Sequence, residues 1–164
     1  MKWSRILLLA VVAALAVGAW VLLHPSPEHL IRKQLEGVAH AVSFGPKESY
    51  LARLAAAQRL AGFFSTNVEV QINVPGHQEN RLAGREEIQQ AALSAQASVQ
   101  ALSVTFPDIT IIVNADQQSA VADLTLQAQV AGQPDMIVQE MKFTLRKING
   151  NWLIIKVETV RTLS

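Results

Sequence analysis

Between Ala120 and Arg146 the chain is written in a period of two. Ala120, Ala122, Leu124, Leu126, Ala128 and Val130 fall on one side of an extended segment, and Val121, Asp123, Thr125, Gln127 and Gln129 on the other. The next segment repeats the division, with Ile137, Gln139, Met141, Phe143 and Leu145 against Val138, Glu140, Lys142, Thr144 and Arg146. Successive side chains of a strand point to opposite faces, so this pattern calls for two long strands with one face on a core and the other in water. The charges Asp123, Glu140, Lys142 and Arg146 are then solvated cross-strand partners, each contributing little. A sheet apolar on one face must be covered there, and the rest of the chain has to supply the cover.

Two further strands complete the set. Val104 to Val113 is broken by Pro107-Asp108, which marks a bulge or bend, and Trp152 to Leu163 follows the hairpin signal Asn149-Gly150. Both faces of the last strand begin apolar, since Trp152 and Ile154 alternate with Leu153 and Ile155. That pattern predicts burial on two sides, as in a sheet-to-sheet contact between copies, with Trp152 and Ile154 at the interface; the other reading is that Trp152 covers one end of the domain's own core. Val68 to Val74 reads as a fifth strand, Pro75-Gly76 as a turn, and Gln78 to Leu82 as a short edge strand.

Helices precede and interrupt this sheet. Ser26 is a natural N-cap with Pro27 at the first helical position, and Ile31, Leu35, Val38 and Val42 then recur as one apolar stripe. Ser43-Phe44-Gly45-Pro46 stops that helix. A second is expected from about Pro46 to Ala61, with Tyr50, Leu54, Ala57, Ala61 and Phe64 on its inner face. Gly84 opens a third, with Glu86 and Glu87 near its positive end and Ile88, Ala91, Ala92, Ala95, Val99 and Leu102 facing inward. Those alanines allow the helix to lie close against a sheet.

Ahead of this domain, Lys2 and Arg5 precede a charge-free apolar run over residues 6–23. Roughly 18 such residues just reach across a bilayer core. The basic pair places residues 1–5 in the cytoplasm, 24–27 as a linker and residues 28–164 as one domain on the far side. A cleaved signal peptide is the other reading, with Val17-Gly18-Ala19 as its small-x-small site. Trp20 to Leu23 continue the apolar run beyond that site, and Trp20 suits an interfacial position, which favours an uncleaved anchor. Either way the domain is exported, to the periplasmic side of a bacterial inner membrane.

Charge and composition narrow the function. Of 14 basic and 13 acidic residues, Lys2 and Arg5 lie outside the domain, leaving it 12 against 13 and a formal charge of −1. With no basic stripe, nucleic-acid binding is disfavoured. The absence of cysteine excludes disulfides, thiolate catalysis and Cys-based zinc sites. His24, His29, His40 and His77 show no metal-ligand spacing, and no metal or cofactor is expected.

The order of elements, together with Leu82-Ala83-Gly84-Arg85-Glu86-Glu87-Ile88 and the run Phe143 to Ile154 through Asn149-Gly150-Asn151-Trp152, resembles the nuclear transport factor 2-like superfamily. This is the cystatin-like, SnoaL-like α+β cone, and the resemblance covers Ser26 to Leu163. It implies three helices packed on a curved, mostly antiparallel sheet of four long strands plus one or two short ones. It also implies a cone that can hold ligands and a sheet face through which relatives pair. The motifs concern architecture and carry no catalytic set onto this chain.

Three functions remain. The first is a membrane-held, non-enzymatic assembly module, a homodimer or a partner in a membrane complex, in which Ile154→Asp abolishes self-association without unfolding. The second is a binding module for a hydrophobic small molecule, with Tyr50 and Gln139 as polar contacts beside Met141 and Phe143, the other reading of that pair being Tyr50 on backbone or water at the rim and Gln139 near a strand end; here Ala122→Phe fills the cone. The third is a SnoaL-like isomerase, cyclase or dehydratase, in which Glu158, if the last strand turns it inward, acts as acid or base with Tyr50.

Overall fold

The computed structural model describes residues 25–73 and 80–160. The expected span over 6–23, the turn at Pro75-Gly76 and residues 161–164 lie outside them. Among the described residues no helix is long and apolar enough to cross a membrane.

Among the described residues three helices and seven strands follow in the order α1 (Pro27–Val42), α2 (Tyr50–Gly62), β1 (Phe64–Ile72), β2 (Asn80–Ala83), α3 (Arg85–Ser98), β3 (Leu102–Thr105), β4 (Ile109–Val113), β5 (Ser119–Val130), β6 (Ile137–Ile148) and β7 (Asn151–Thr159). The strands form one sheet in the order β2-β1-β7-β6-β5-β3, with β4 also pairing β5. All pairings are antiparallel except β1 with β7. Pro107-Asp108 splits the expected Val104–Val113 strand into β3 and β4, both held on β5. Proline has no N–H to give a ladder, so the split falls where the chemistry requires it.

The helices cover one face of this sheet. Ser26 caps α1 by accepting from the His29 N–H at 3.3 Å, and Ile31, Leu35 and Val38 are buried on its inner stripe. Helix α2 begins four residues later than expected because Ser49, whose side chain accepts from the Ala52 N–H at 3.2 Å, is its cap. Its first turn stands clear of the sheet, and only Ala56, Ala57, Leu60 and Ala61 are buried. Helix α3 starts at Gly84, whose φ of +89° is a conformation that favours glycine. Glu87 reaches back to accept from the Ala83 N–H at 2.7 Å, and Arg85 donates to the Phe64 carbonyl at 2.6 Å. The glycine and the two side chains fix the angle at which α3 crosses β1.

On the inner face of the sheet Ala120, Ala122, Leu124, Met141, Phe143 and Leu145 are buried, following the period of two. On β7 that period breaks. Leu145 lies opposite Ile154 and Thr144 opposite Lys156, so Ile155 is an extra, bulged residue. Trp152 and Ile154 point inward before the bulge and Val157 points inward after it. The core face is therefore carried by Trp152, Ile154 and Val157, while Leu153, between the first two, lies half-buried on the outer face. Asn149 and Gly150, both with positive φ, close the two-residue turn between Ile148 and Asn151.

Candidate functional site

Helices and sheet do not meet everywhere. Between them lies a cavity of about 400 Å³, within the range of small-molecule sites, roughly 300–1,000 Å³. One wall is α3, through Ile88, Ala91, Ala92 and Ala95, and a second is α1 with its C-terminal extension, through Val38, Ala41, Val42 and Phe44. The sheet supplies Phe64, Val70, Leu126, Ala128, Phe143 and Val157, and Phe106 closes an end by meeting Phe143 edge-to-face at 6.1 Å. The space exists because alanine occupies Ala91, Ala92 and Ala95 on the helix and Ala41 and Ala128 across from it. Larger side chains there would interdigitate as in an ordinary core.

The frame around the cavity is tied by hydrogen bonds rather than left to packing. Ser43 ends α1 by donating through its hydroxyl to the Ala39 carbonyl at 2.8 Å while accepting from the Val104 N–H at 2.9 Å. Phe44 and Leu102 exchange backbone bonds at 2.8 and 3.0 Å, which stitches this corner to β3. Arg53 on α2 donates to the Gln96 carbonyl at 2.8 Å and to the Gly45 carbonyl at 3.2 Å, and its guanidinium stacks on Phe44 at 5.1 Å. In return the Gln96 side-chain amide N–H donates to the Arg53 carbonyl at 3.3 Å. Each residue thus grips the other's backbone and locks α2 to α3.

Gln96 is also the one polar side chain among the described residues that line the cavity. It is 6% exposed, and its Oε1 has no hydrogen-bond partner. No aspartate, glutamate, histidine, lysine, arginine or tyrosine is among those lining residues.

Of the ligand contacts expected from the sequence, Phe143 forms part of this wall, and Met141 is buried in the core without lining it. Tyr50 does not face inward: it is the first residue after the α2 cap and is 75% exposed. Gln139 sits near the end of β6, half-buried, where its amide N–H groups donate to the Glu140 carbonyl at 3.1 Å and the Val160 carbonyl at 3.4 Å. It serves the strand end and is not among the residues lining the cavity, although its cross-strand partner Leu126 is.

Trp152 and Ile154 are not on the open face of the sheet; they are 5% and 0% exposed within the core. Glu158 points to the outer face, where it pairs with Lys156, so it is not a carboxylate held in the cone. The bulge at Ile155 explains the placement of Trp152 and Ile154, because a regular strand counted back from Val157 turns Ile155 and Leu153 inward instead; Glu158 lies on the outer face, where the unflipped strand has it. Asp123 and Lys142 face each other across β5 and β6 at 3.9 Å, as a solvated pair.

Gln96 was missed in the sequence, although its signal was present. It stands at i+8 from Ile88 and i+4 from Ala92, on the same stripe of α3 as two apolar wall residues.

No protein-family model matches the chain, and no curated protein matches it either. Solved structures do. A nuclear transport factor 2-like protein of unknown function from Pseudomonas putida superposes with a TM-score of 0.64 at 11% identity, over 86% of this chain and 92% of that one. A provisionally named scytalone dehydratase from Novosphingobium aromaticivorans gives 0.60 at 14% identity, over 83% and 84%. The yeast UBP3-associated protein BRE5 gives 0.62 at 14% identity, over 85% and 100%. The fold is therefore the nuclear transport factor 2-like, or cystatin-like, α+β cone. At these identities the likeness concerns the fold alone.

Proposed function

We propose that this domain binds a hydrophobic small molecule inside its cone without transforming it. The supporting observation is the alanine-lined cavity, apolar over its described walls apart from Gln96 and held open by a hydrogen-bonded frame. Proton transfer needs an acid or base within reach of the substrate, and the described lining offers none. Residues 6–23 are proposed to hold the domain against the outer side of the cytoplasmic membrane, a bilayer into which apolar molecules partition. Self-association is a second reading, which one observation favours. Ile112 and Val138 stand exposed on the outer face of the sheet, where a second copy can cover them.

Photo-crosslinking with a medium-chain diazirine hydrocarbon tests the binding reading on the full chain in lipid nanodiscs. Labels are expected on α3 and β3 peptides and should disappear in Ala92→Phe, which plugs the wall. Labels confined to β4 and the outer face of β5 and β6 would contradict the reading.

A further inference from the structure

We infer that the ligand is a single-chain amphiphile, whose one hydrocarbon chain of up to about 13 carbons fills the cavity while its polar head stays in water at the open side. The inference rests on the binding reading above and adds the size and chemical class of what is bound.

Volume sets the length. A water-sized group takes up about 30 Å³ in a liquid, and a methylene is close to that size. The cavity of about 400 Å³ therefore holds about 13 such groups. A two-chain membrane lipid carries roughly 30 chain carbons and needs about 900 Å³, more than twice the space. The walls are not free to part, because Arg53 ties α2 to α3 and Ser43 ties the end of α1 to β3. One chain fits, and two do not.

The lining sets where the head goes. No charged side chain is among the described lining residues, so a carboxylate, phosphate or ammonium taken inside would lose its hydration without meeting an opposite charge. The cavity is not sealed. Ala95 of its α3 wall is exposed, and Ile72, Leu82, Ala91 and Ala92 beside it are half-buried. A head group on that side keeps its water while the chain is covered. Along the same wall Ala91 and Ala92 each present a single methyl group, so every carbon added to them takes the place of one in the ligand.

The test is competition against the photo-label on the full chain in nanodiscs, with straight-chain alcohols from octanol to octadecanol and the matching carboxylates. Each competitor is expressed as its mole fraction in the lipid. A chain that fits moves from one apolar medium to another, so half-competing mole fractions are expected to stay level up to about 13 carbons. Each further carbon must leave lipid for water, which weakens competition about fourfold per carbon. Alcohols and carboxylates are expected to break at the same length. Ala92→Leu fills part of the wall and should lower the break by about three carbons, and Ala91→Val by about two. Circular dichroism confirms that each variant is folded, and the wild-type break alone decides the matter should neither fold. No break up to octadecanol, with the cavity peptides still labelled, would overturn the single-chain limit and leave the binding reading standing. A break that stays in place in the folded variants would overturn it equally. Competition by alcohols but by no carboxylate would overturn the placement of the head in water. Absence of cavity labelling in wild type would remove the binding reading itself.

Discussion

Replacing Ala92 with leucine asks whether the space beside α3 is there to be filled. Ala92 is half-buried, packs beside the main core cluster and lines the cavity. Leucine is nearly as good a helix former as alanine, so the backbone of α3 is little affected. The added carbons, at about 0.8 kcal/mol per buried methylene, stabilise the protein by up to about 2.4 kcal/mol. Fixing the leucine rotamer takes back about 0.5–1 kcal/mol, which leaves a gain of about 1.5 kcal/mol. For a domain of this size that gain raises Tm by roughly 3–6 °C, measured by thermal unfolding followed in the far ultraviolet. Ala122→Phe is the contrasting control. Ala122 is fully buried between Ile111 and Phe143 on neighbouring strands and does not line the cavity. Overpacking there costs about 1–3 kcal/mol, so this variant cannot serve as the cavity-filling one. A loss of stability above about 1 kcal/mol in Ala92→Leu would show that the wall is already closed, and the cavity argument would fail.

Ile154→Asp places a carboxylate at a fully buried position; it should unfold the domain, since losses above about 4 kcal/mol approach the whole stability of such a chain, and a folded, merely dissociated variant by circular dichroism would refute the core placement. Arg53→Met takes the guanidinium donor from the Gln96 carbonyl and from the Gly45 carbonyl, which keeps only the Glu48 N–H at 3.4 Å, and should cost about 2 kcal/mol in urea unfolding. Arg53→Lys should not restore it, because an ammonium cannot span two carbonyls as the planar guanidinium does. Asp116 accepts from the Gln118 N–H at 2.9 Å and from the Ser119 hydroxyl at 2.8 Å, and these bonds hold its carboxyl below the ordinary value of 3.8. Because the folded-state value is the lower one, the contribution is complete above 3.8 and is lost as the pH falls through the folded value. Urea midpoints measured from pH 5 to pH 2 should therefore fall more steeply for wild type than for Asp116→Asn, and parallel curves would count against it.

Most of the architecture was legible because it follows from local rules. The period of two on β5 and β6 set the core face, Ser26 and Pro27 set the start of α1, and Gly84 set the start of α3. The alanines expected on the inner side of α3 are the ones that line the cavity. Tyr50 was misplaced because Ser49 outcompetes Pro46 as the start of α2, which puts the tyrosine in an unpacked first turn. Trp152 and Ile154 were assigned to the wrong face because a bulge adds one residue without leaving a glycine or proline to mark it. Gln96 stood on an apolar helical stripe, but its free oxygen depends on Arg53 reaching across from α2, a contact between residues 43 positions apart. Such pairings are set by how helices cross and are not written in the spacing of either helix.

The most direct test of the account is methyl-resolved NMR on the full chain in nanodiscs, with and without 1-decanol. The account predicts shifts at the methyl groups of Ala91, Ala92, Leu126 and Ala128 around the cavity, with Ile112 and Val138 unmoved. Shifts at Ile112 and Val138 with a silent cavity would contradict it and return the outer face of the sheet to first place.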